Sequence, residues 1–117
     1  MVKKVDKPWG YEVHFAVTDR YVGKVLFIRG GESLSLQYHR SKDESVYVSS
    51  GRMNLTIDEE GKLVDKVLEA GQAVRIQPGI RHRFAADIDT TLFEVSTPQL
   101  DDVVRLEDRY GRTSSDT

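Results

Sequence analysis

Short runs of β-branched and aromatic residues alternate with turn residues along most of the chain. No strong helical period occurs before the carboxyl-terminal segment, so the pattern is typical of an almost wholly β protein. It predicts strands at residues 10–17, 21–28, 33–38, 44–49, 52–58, 63–68, 73–76, 83–86 and 91–97. Strands of this number and spacing indicate a sandwich or a barrel, in which sheet pairing or closure protects the strand edges.

Three further segments complete this pattern. Asp58-Glu59-Glu60-Gly61-Lys62 joins two predicted strands, and its glycine predicts a hairpin. Val103-Val104-Arg105-Leu106 is compatible with a short helical turn or with a strand. Residues 113–117 are polar enough to predict a frayed tail. With no linker or internal repeat, we expect one domain over residues 1–117, with its core at about 7–112.

Composition narrows the choice of partners and compartment. A length of 117 residues suits one domain, and acidic and basic residues are interleaved to a formal net charge of -2. This balance gives no general attraction to nucleic acid or to anionic lipid, so we expect neither as a partner. No run approaches the roughly 20 apolar residues of a membrane span, and no signal-peptide segment follows Met1, so we expect a cytoplasmic protein.

Four residues that are able to bind a metal ion occur close to glycine-rich turns: Gln37, His39, Glu44 and His82. Because alternate strand residues point to the same face, Gln37 and His39 project in the same direction. A lone histidine or glutamate is more often structural, but this spacing predicts a shared divalent cation. There is no cysteine, so the ligands are nitrogen and oxygen atoms. Zinc is favoured, and iron, manganese, nickel and cobalt remain open.

The segment from Gly31 to Gly51, which contains three of these residues, resembles the first signature of the cupin superfamily. Gly31 is followed by Gln37-Tyr38-His39, then by Glu44 and Gly51, at the spacing of that signature. Glutamine stands where the first histidine is usual. The resemblance implies an all-β fold, a single-domain double-stranded β-helix or jelly-roll barrel.

The second segment resembles the second cupin signature. Gly71, Gly79 and His82 keep its spacing, whereas Pro78 stands one place later than in the family pattern and Ala86 replaces a usual asparagine. Because the spacing from glycine to histidine is kept, the resemblance implies that His82 is the last metal ligand.

Motifs at both ends narrow the resemblance to the type II mannose-6-phosphate isomerase module, over Lys7 to Arg112. They are Lys7-Pro8-Trp9-Gly10, Leu34-Ser35-Leu36-Gln37 and the segment from Asp102 to Arg112. That module often forms the carboxyl-terminal part of bifunctional enzymes that also make GDP-mannose, and from the length of 117 residues we expect no nucleotidyltransferase activity here. The sequence departs from many relatives at Arg40-Ser41-Lys42-Asp43 and at Ser45-Val46, which we expect at the mouth of the site.

The resemblance implies a metal-dependent aldose-ketose isomerase that acts on a sugar or sugar phosphate, most like mannose 6-phosphate and fructose 6-phosphate. A metal ion that binds the carbonyl and the adjacent hydroxyl stabilises an enediolate while a proton moves between carbons. The sequence does not identify the base. For phosphate or transition-state charge we select two arginines, Arg83, which follows the histidine ligand as in the family, and Arg105 in the family-like segment. Lys24 is the third catalytic candidate, for a strand that points it into the barrel, and the other cations considered are Arg40, Lys42 and Arg81. The alternative interpretation of each of the three selected cations is a solvated or ion-paired side chain on the surface.

The remaining expectations concern residues outside the site, the oligomeric state and the alternative functions. We expect His14 to be a surface or packing residue, Tyr38 and Tyr47 to face away from the site, and Trp9 to anchor the amino-terminal segment. Small cupins commonly pair through sheet edges, so we expect a homodimer, with the segment around Pro8 and Trp9 crossing to the neighbour. The alternatives to the isomerase are a small metal-dependent cupin oxygenase and a non-catalytic sugar-binding module.

Overall fold

Two antiparallel β-sheets face each other in the computed structural model, which describes residues 2–112. The strands are β1 (Lys3–Lys7), β2 (Gly10–Val17), β3 (Val22–Ile28), β4 (Glu32–Ser33), β5 (Leu36–Tyr38), β6 (Glu44–Ser50), β7 (Arg52–Glu59), β8 (Lys62–Glu69), β9 (Ala73–Ile76), β10 (His82–Ala86), β11 (Thr90–Ser96) and β12 (Val104–Glu107). No helix in this part of the chain is long and apolar enough to cross a membrane. The predicted all-β jelly-roll fold is confirmed.

The strand order brings distant parts of the chain together. One sheet has the order β1-β2-β3-β11-β6-β9, and the other has the order β12-β5-β10-β7-β8, with β4 paired to β10. In the second sheet His82 lies opposite Gln37, and Gln37 lies opposite Arg105 on its other side. Three predicted site residues are therefore neighbours across adjacent strands, although they are far apart in sequence.

The space between the sheets holds the apolar core at one end and charged side chains at the other. Strand parity sends alternate residues inward, as the buried Val22, Leu26 and Ile28 of β3 show. Lys24 on the same strand and Glu94 on β11 occupy inward positions that are equally buried. Burying an aliphatic side chain stabilises the fold by about 1.5–3 kcal/mol, whereas a buried charge needs a partner. Functional residues are therefore expected at the charged end of the interior.

The observed strands differ from the predicted ones in three places. Strand β1 was not predicted, because Lys3–Lys7 is a charged edge strand with few apolar residues. The strand predicted at 33–38 is two strands, β4 and β5, separated by Leu34 and Ser35. The pattern at residues 103–106 was compatible with a helical turn or with a strand, and the structure has a strand there, β12.

The predicted hairpin is confirmed. Glu60 and Gly61 both have positive φ, at 55° and 85°, as a two-residue turn between antiparallel strands requires. The tail predicted at 113–117 lies outside the described residues.

Candidate metal centre

Three of the four predicted metal ligands meet inside the barrel. Oε1 of Glu44 lies 2.9 Å from Nε2 of His39 and 3.3 Å from Nε2 of His82, and all three side chains are almost fully buried. One potential ligand atom from each residue lies within 4.8 Å of the other two. Residues from the end of β5, the start of β6 and the start of β10 thus converge on one small volume.

Both imidazoles are oriented by the backbone. Nδ1 of His39 lies 2.5 Å from the carbonyl oxygen of Asp102, and Nδ1 of His82 lies 2.9 Å from the carbonyl oxygen of Ile80. A carbonyl only accepts hydrogen bonds, so each Nδ1 carries a proton and donates it. In a neutral ring the lone pair is then on Nε2, the atom that faces Glu44. This arrangement is the usual one for histidines that bind a metal ion.

The charge distribution favours a cation between these groups. Burial opposes ionisation of Glu44, but its contacts with the rings of His39 and His82 and the charge of Lys42 outweigh it and hold the pKa of Glu44 well below its ordinary value. The ionised carboxylate would face two lone pairs if both rings were neutral. Nε2 of His82 is also buried without a hydrogen bond. A divalent cation would satisfy these nitrogen and oxygen atoms together, so the donor set fits a metal ion.

The fourth predicted ligand, Gln37, lies on the same wall of the interior. It is opposite His82 in the sheet register, and its Oε1 accepts a hydrogen bond of 2.6 Å from the hydroxyl of Ser35. A carbonyl oxygen has a second lone pair, so this bond does not prevent Gln37 from binding a cation. Its role as a ligand stays a prediction.

A buried lysine and a buried glutamate lie behind Glu44. Nζ of Lys42 lies 3.3 Å from Oε2 of Glu94 and 3.9 Å from Oε2 of Glu44. Burial, and next the negative charge of Glu44, raise the pKa of Glu94 to about 8, and its Oε2 has no hydrogen bond. Lys42 therefore lies between two carboxyl groups that compete for its charge.

The loop after β5 is fixed in two ways. The carboxylate of Asp102 accepts three backbone N–H bonds of 2.7–2.9 Å, from Arg40, Ser41 and Lys42. The backbone N–H of Gly79 donates to the carbonyl oxygen of His39 at 2.7 Å, which ties this loop to the turn before His82. The positions of both histidines thus depend on hydrogen bonds between separate segments.

The candidate metal centre opens into a cavity of about 330 Å³ between the sheets. His39, Glu44 and Gln37 line the cavity, whereas His82 is buried behind them. A cavity of this size is large enough for a small organic ligand. The opposite wall is polar and comes from β2 and β3.

Two of the three cations selected from the sequence line this cavity. Lys24 is 6% exposed, and its Nζ lies 3.3 Å from Oε1 of Glu12. Arg105 has a buried Nε without a hydrogen bond, and burial together with the charge of Arg112 lowers its pKa. A guanidinium with an unused buried donor is suited to bind an anion.

Arg83 is not part of the cavity wall. It follows His82 on β10, so strand parity turns its side chain to the other face, where its guanidinium lies 3.6 Å from Glu107. Adjacency in sequence to a ligand therefore does not bring Arg83 to the metal centre. His14, which we expected on the surface or in packing, lies instead on the cavity wall.

Sequence reasoning missed Glu12 and Glu94, and strand parity carried the signal for both. Glu94 alternates with the inward Leu92 on β11, and Glu12 alternates with the buried Gly10 on β2. A charged residue in register with buried positions indicates either a paired core charge or a site. The orientation of Tyr47 was predicted correctly, since it is exposed and stacks on Phe93 on the outer face.

Comparisons with solved structures give the fold. The chain superposes on the capsular polysaccharide assembling protein CapF from Staphylococcus aureus with a TM-score of 0.77 and 19% identity, over 92% of this chain and 34% of that one. KdgF from Halomonas sp. gives 0.70 and 19%, over 85% and 88%. Oxalate decarboxylase from Bacillus subtilis gives 0.78 and 17%, over 90% and 30%. At these identities the likeness shows a shared architecture only.

Sequence comparisons give the relatives and the family. Mannose-1-phosphate guanylyltransferase ManC from Salmonella typhimurium is 35% identical over 96% of this chain, and the xanthan biosynthesis protein XanB from Xanthomonas campestris is 34% identical over 95%. The chain spans about a quarter of the length of each, 24% in both cases. Residues 24–95 match the family described as Cupin domain. The chain therefore belongs to the cupin family, as its two glycine-anchored signatures predicted.

Proposed function

We propose that this protein is a metal-dependent aldose-ketose isomerase that acts on a sugar phosphate, most like the interconversion of mannose 6-phosphate and fructose 6-phosphate. The observation that carries the proposal is the cluster of His39, Glu44 and His82 around one carboxylate oxygen, beside a cavity that also presents cations. The relatives named for mannose-1-phosphate guanylyltransferase support a substrate from the same group of sugars.

His39, Glu44 and His82, with Gln37 beside them, are the residues that would hold a divalent cation, and zinc is favoured for nitrogen and oxygen donors. Such an ion, when bound, polarises the substrate carbonyl and its neighbouring hydroxyl and stabilises the negative charge of an enediolate. The carbonyl oxygens of Asp102 and Ile80 keep both histidines in the orientation that this role needs.

Arg105 and Lys24 supply positive charge on the cavity wall. Arg105 has a buried Nε that is free to donate, which suits a phosphate oxygen. Lys24 faces the cavity from β3 and shares Glu12 with His14, so it is placed to stabilise negative charge on the substrate. Arg83 has a weaker case, because its side chain does not line the cavity.

Turnover tests this proposal. Protein stripped of metal and reloaded separately with zinc, iron, manganese, nickel or cobalt is assayed with mannose 6-phosphate and with a panel of other hexose and pentose phosphates. We expect interconversion with at least one metal, and loss of both bound metal and turnover in His39→Ala and His82→Ala. Glu107→Gln, an exposed change, is the matched control.

Three outcomes would contradict the isomerase. Absence of turnover with every sugar phosphate would remove it. Tight sugar binding by metal-loaded protein without turnover would indicate a non-catalytic sugar-binding module. Oxygen consumption that depends on ferrous iron would indicate a cupin oxygenase.

We also propose a homodimer, on the resemblance to small cupins. In the structure the amino-terminal strand β1 pairs with β2 of its own chain, so the expected crossing to a neighbour is not needed to order this segment. Light scattering at micromolar concentration tests the proposal, and a monomer would contradict it.

A further inference from the structure

A second polar cluster faces the cavity from the first sheet, on β2 and β3. Nε2 of His14 lies 2.8 Å from Oε1 of Glu12, and Nζ of Lys24 lies 3.3 Å from the same oxygen. The three side chains are only 8–14% exposed. None of them belongs to the metal-binding group, and all three line the cavity. The cluster therefore shares a substrate volume with the metal centre without taking part in it.

The partners of Glu12 fix the tautomer of His14. Burial opposes ionisation of Glu12, but the charge of Lys24 and the hydrogen bond from His14 outweigh it, so the pKa of Glu12 is lowered. An ionised carboxylate only accepts hydrogen bonds, so Nε2 of His14 carries the proton and donates it. In the neutral ring the lone pair is then on Nδ1, which has no hydrogen bond to any of residues 2–112.

Three acidic side chains of the cavity wall, Glu44, Glu94 and Asp102, are engaged in or around the candidate metal centre. Glu44 belongs to the candidate metal centre, and Glu94 lies directly behind it, with Nζ of Lys42 at 3.3 Å from its Oε2. Asp102 holds three backbone N–H groups. Of the wall residues, His14 combines an available lone pair with a partner that orients its ring, which is the arrangement of a general base.

We infer that His14 is the residue that carries the proton between the two substrate carbons, and that Glu12 is its positioning residue. This inference rests on the proposed isomerase function. Nδ1 of His14 removes the proton from C2 of the aldose, the C2–H electron pair forms the C1=C2 bond, and the carbonyl electron pair moves to O1. The same ring returns its proton to C1, while the proton of the C2 hydroxyl passes to O1 and C2 becomes the ketose carbonyl. The substrate and product therefore contain the same atoms and electrons, and His14 ends in its starting protonation state.

The test compares His14→Gln with the wild-type protein, both loaded with the metal that supports turnover in the wild type. We expect kcat to fall about a hundredfold to ten-thousandfold, the range that one positioned acid or base contributes. Metal content and the affinity for a sugar-alcohol phosphate, which cannot isomerise, should change by less than about threefold, because His14 is not a ligand. Incorporation of solvent deuterium at C2 of the substrate should fall together with kcat.

Two further variants separate chemistry from folding. Tyr11→Phe is the control on the same strand, since Tyr11 faces outward and stacks on Phe27, and it should keep wild-type turnover. Glu12→Gln removes the carboxylate that orients the His14 ring through Nε2–H, so we expect kcat to fall while KM changes little, with Glu12→Asp restoring part of kcat. The charged neighbours that also face His14 are Lys3 on β1 and Lys24 on β3, and both are unchanged in these variants.

The outcomes distinguish this inference from the proposed function. Wild-type turnover with undiminished turnover in His14→Gln would overturn the role of His14 and leave the isomerase intact. A His14→Gln protein that loses metal would also overturn it, because the residue would then act through the metal centre. Wild-type protein that is inactive with every metal and sugar phosphate would overturn both proposals together.

Discussion

Asp102 joins the carboxyl-terminal segment to the loop that carries His39. Its carboxylate accepts three backbone N–H groups of that loop, and its carbonyl oxygen accepts Nδ1–H of His39. Hydrogen bonds to a charged group contribute more to stability than neutral ones. We therefore treat this residue as the main support of the metal centre outside its ligands.

We expect Asp102→Ala to lower the free energy of unfolding by about 2 kcal/mol, because three N–H groups lose a charged acceptor. Zinc affinity should fall by about tenfold to a hundredfold, the usual cost of losing support behind a ligand. Urea unfolding and zinc titration measure the two effects. The control is Asp101→Ala, whose carboxylate has no such bonds, and equal losses in both variants would contradict the argument.

Glu12 gives a pH-dependent prediction. We expect Glu12→Gln to destabilise the protein by about 2 kcal/mol at pH 7, because the buried Lys24 loses its charged partner. The pKa of Glu12 is lowered in the folded protein, so its contribution is present above the unfolded pKa of about 4.3 and is lost as pH falls through the folded pKa. Urea unfolding at a series of pH values should show the two proteins converging below about pH 4. A difference that grows toward acid pH would contradict this account.

At the scale of single residues, the sequence predicted the convergence of three side chains better than their surroundings, and their role as metal ligands stays a prediction. The spacing of His39, Glu44 and His82 was sufficient, because the two signatures determine where each strand begins. Strand parity indicates that Glu94 faces inward, but the roles of Glu94 and His14 depend on which strands become neighbours across the barrel, which the sequence does not show. Arg83 shows the converse: it is next to a ligand in sequence and faces the other way in the sheet.

Two turns between strands depend on a glycine with positive φ. Gly51 lies between β6 and β7, which belong to different sheets, and Gly61 lies in the hairpin between β7 and β8, and the two have almost the same φ, 86° and 85°. They differ in what surrounds them. A Cβ at Gly51 would lie 2.5 Å from the carbonyl oxygen of Asp89 and from Oγ1 of Thr90, whereas nothing lies within 4 Å of one at Gly61.

We expect Gly61→Ala to cost about 1 kcal/mol, the penalty for placing an L-residue in the left-handed region. Gly51→Ala should cost about 3 kcal/mol, because the same penalty is increased by displacement of the chain before β11. Urea unfolding of the two variants is a matched comparison, since both replace a positive-φ glycine. Equal costs would show that the contact with Asp89 and Thr90 relaxes freely.

At the scale of elements, regular alternation made most strands predictable, and departures from it explain the errors. Strand β1 has the alternation of an edge strand but few apolar residues, so its composition resembles that of a loop. The break between β4 and β5 occurs where Ser35 is buried and bonds Gln37, a contact that local propensity does not encode. Strand β12 is ordered by pairing with β5, which is distant in sequence.

At the scale of the whole molecule, closure of the barrel concentrates charge in its interior. The fold places Glu44, Glu94 and two imidazoles in a small buried volume, with Lys42 as the cation between the carboxyl groups. Burying such groups costs free energy unless each is paired. A bound divalent cation would satisfy the donors that the protein leaves unpaired, so metal binding and folding stability should be coupled.

This coupling predicts that metal raises the melting temperature. At a free metal concentration of about 100 times the dissociation constant, binding to the native state alone adds about 2.7 kcal/mol, which corresponds to roughly 10 °C for a domain of this size. Scanning calorimetry of chelator-treated protein, with and without added zinc, measures the shift. His39→Ala should lose it, because the variant lacks one of the three converging donors, whereas His14→Gln should keep it, because His14 lies in the other cluster. A wild-type protein whose melting temperature is the same with and without metal would show that the buried carboxylate and imidazoles satisfy one another without a cation.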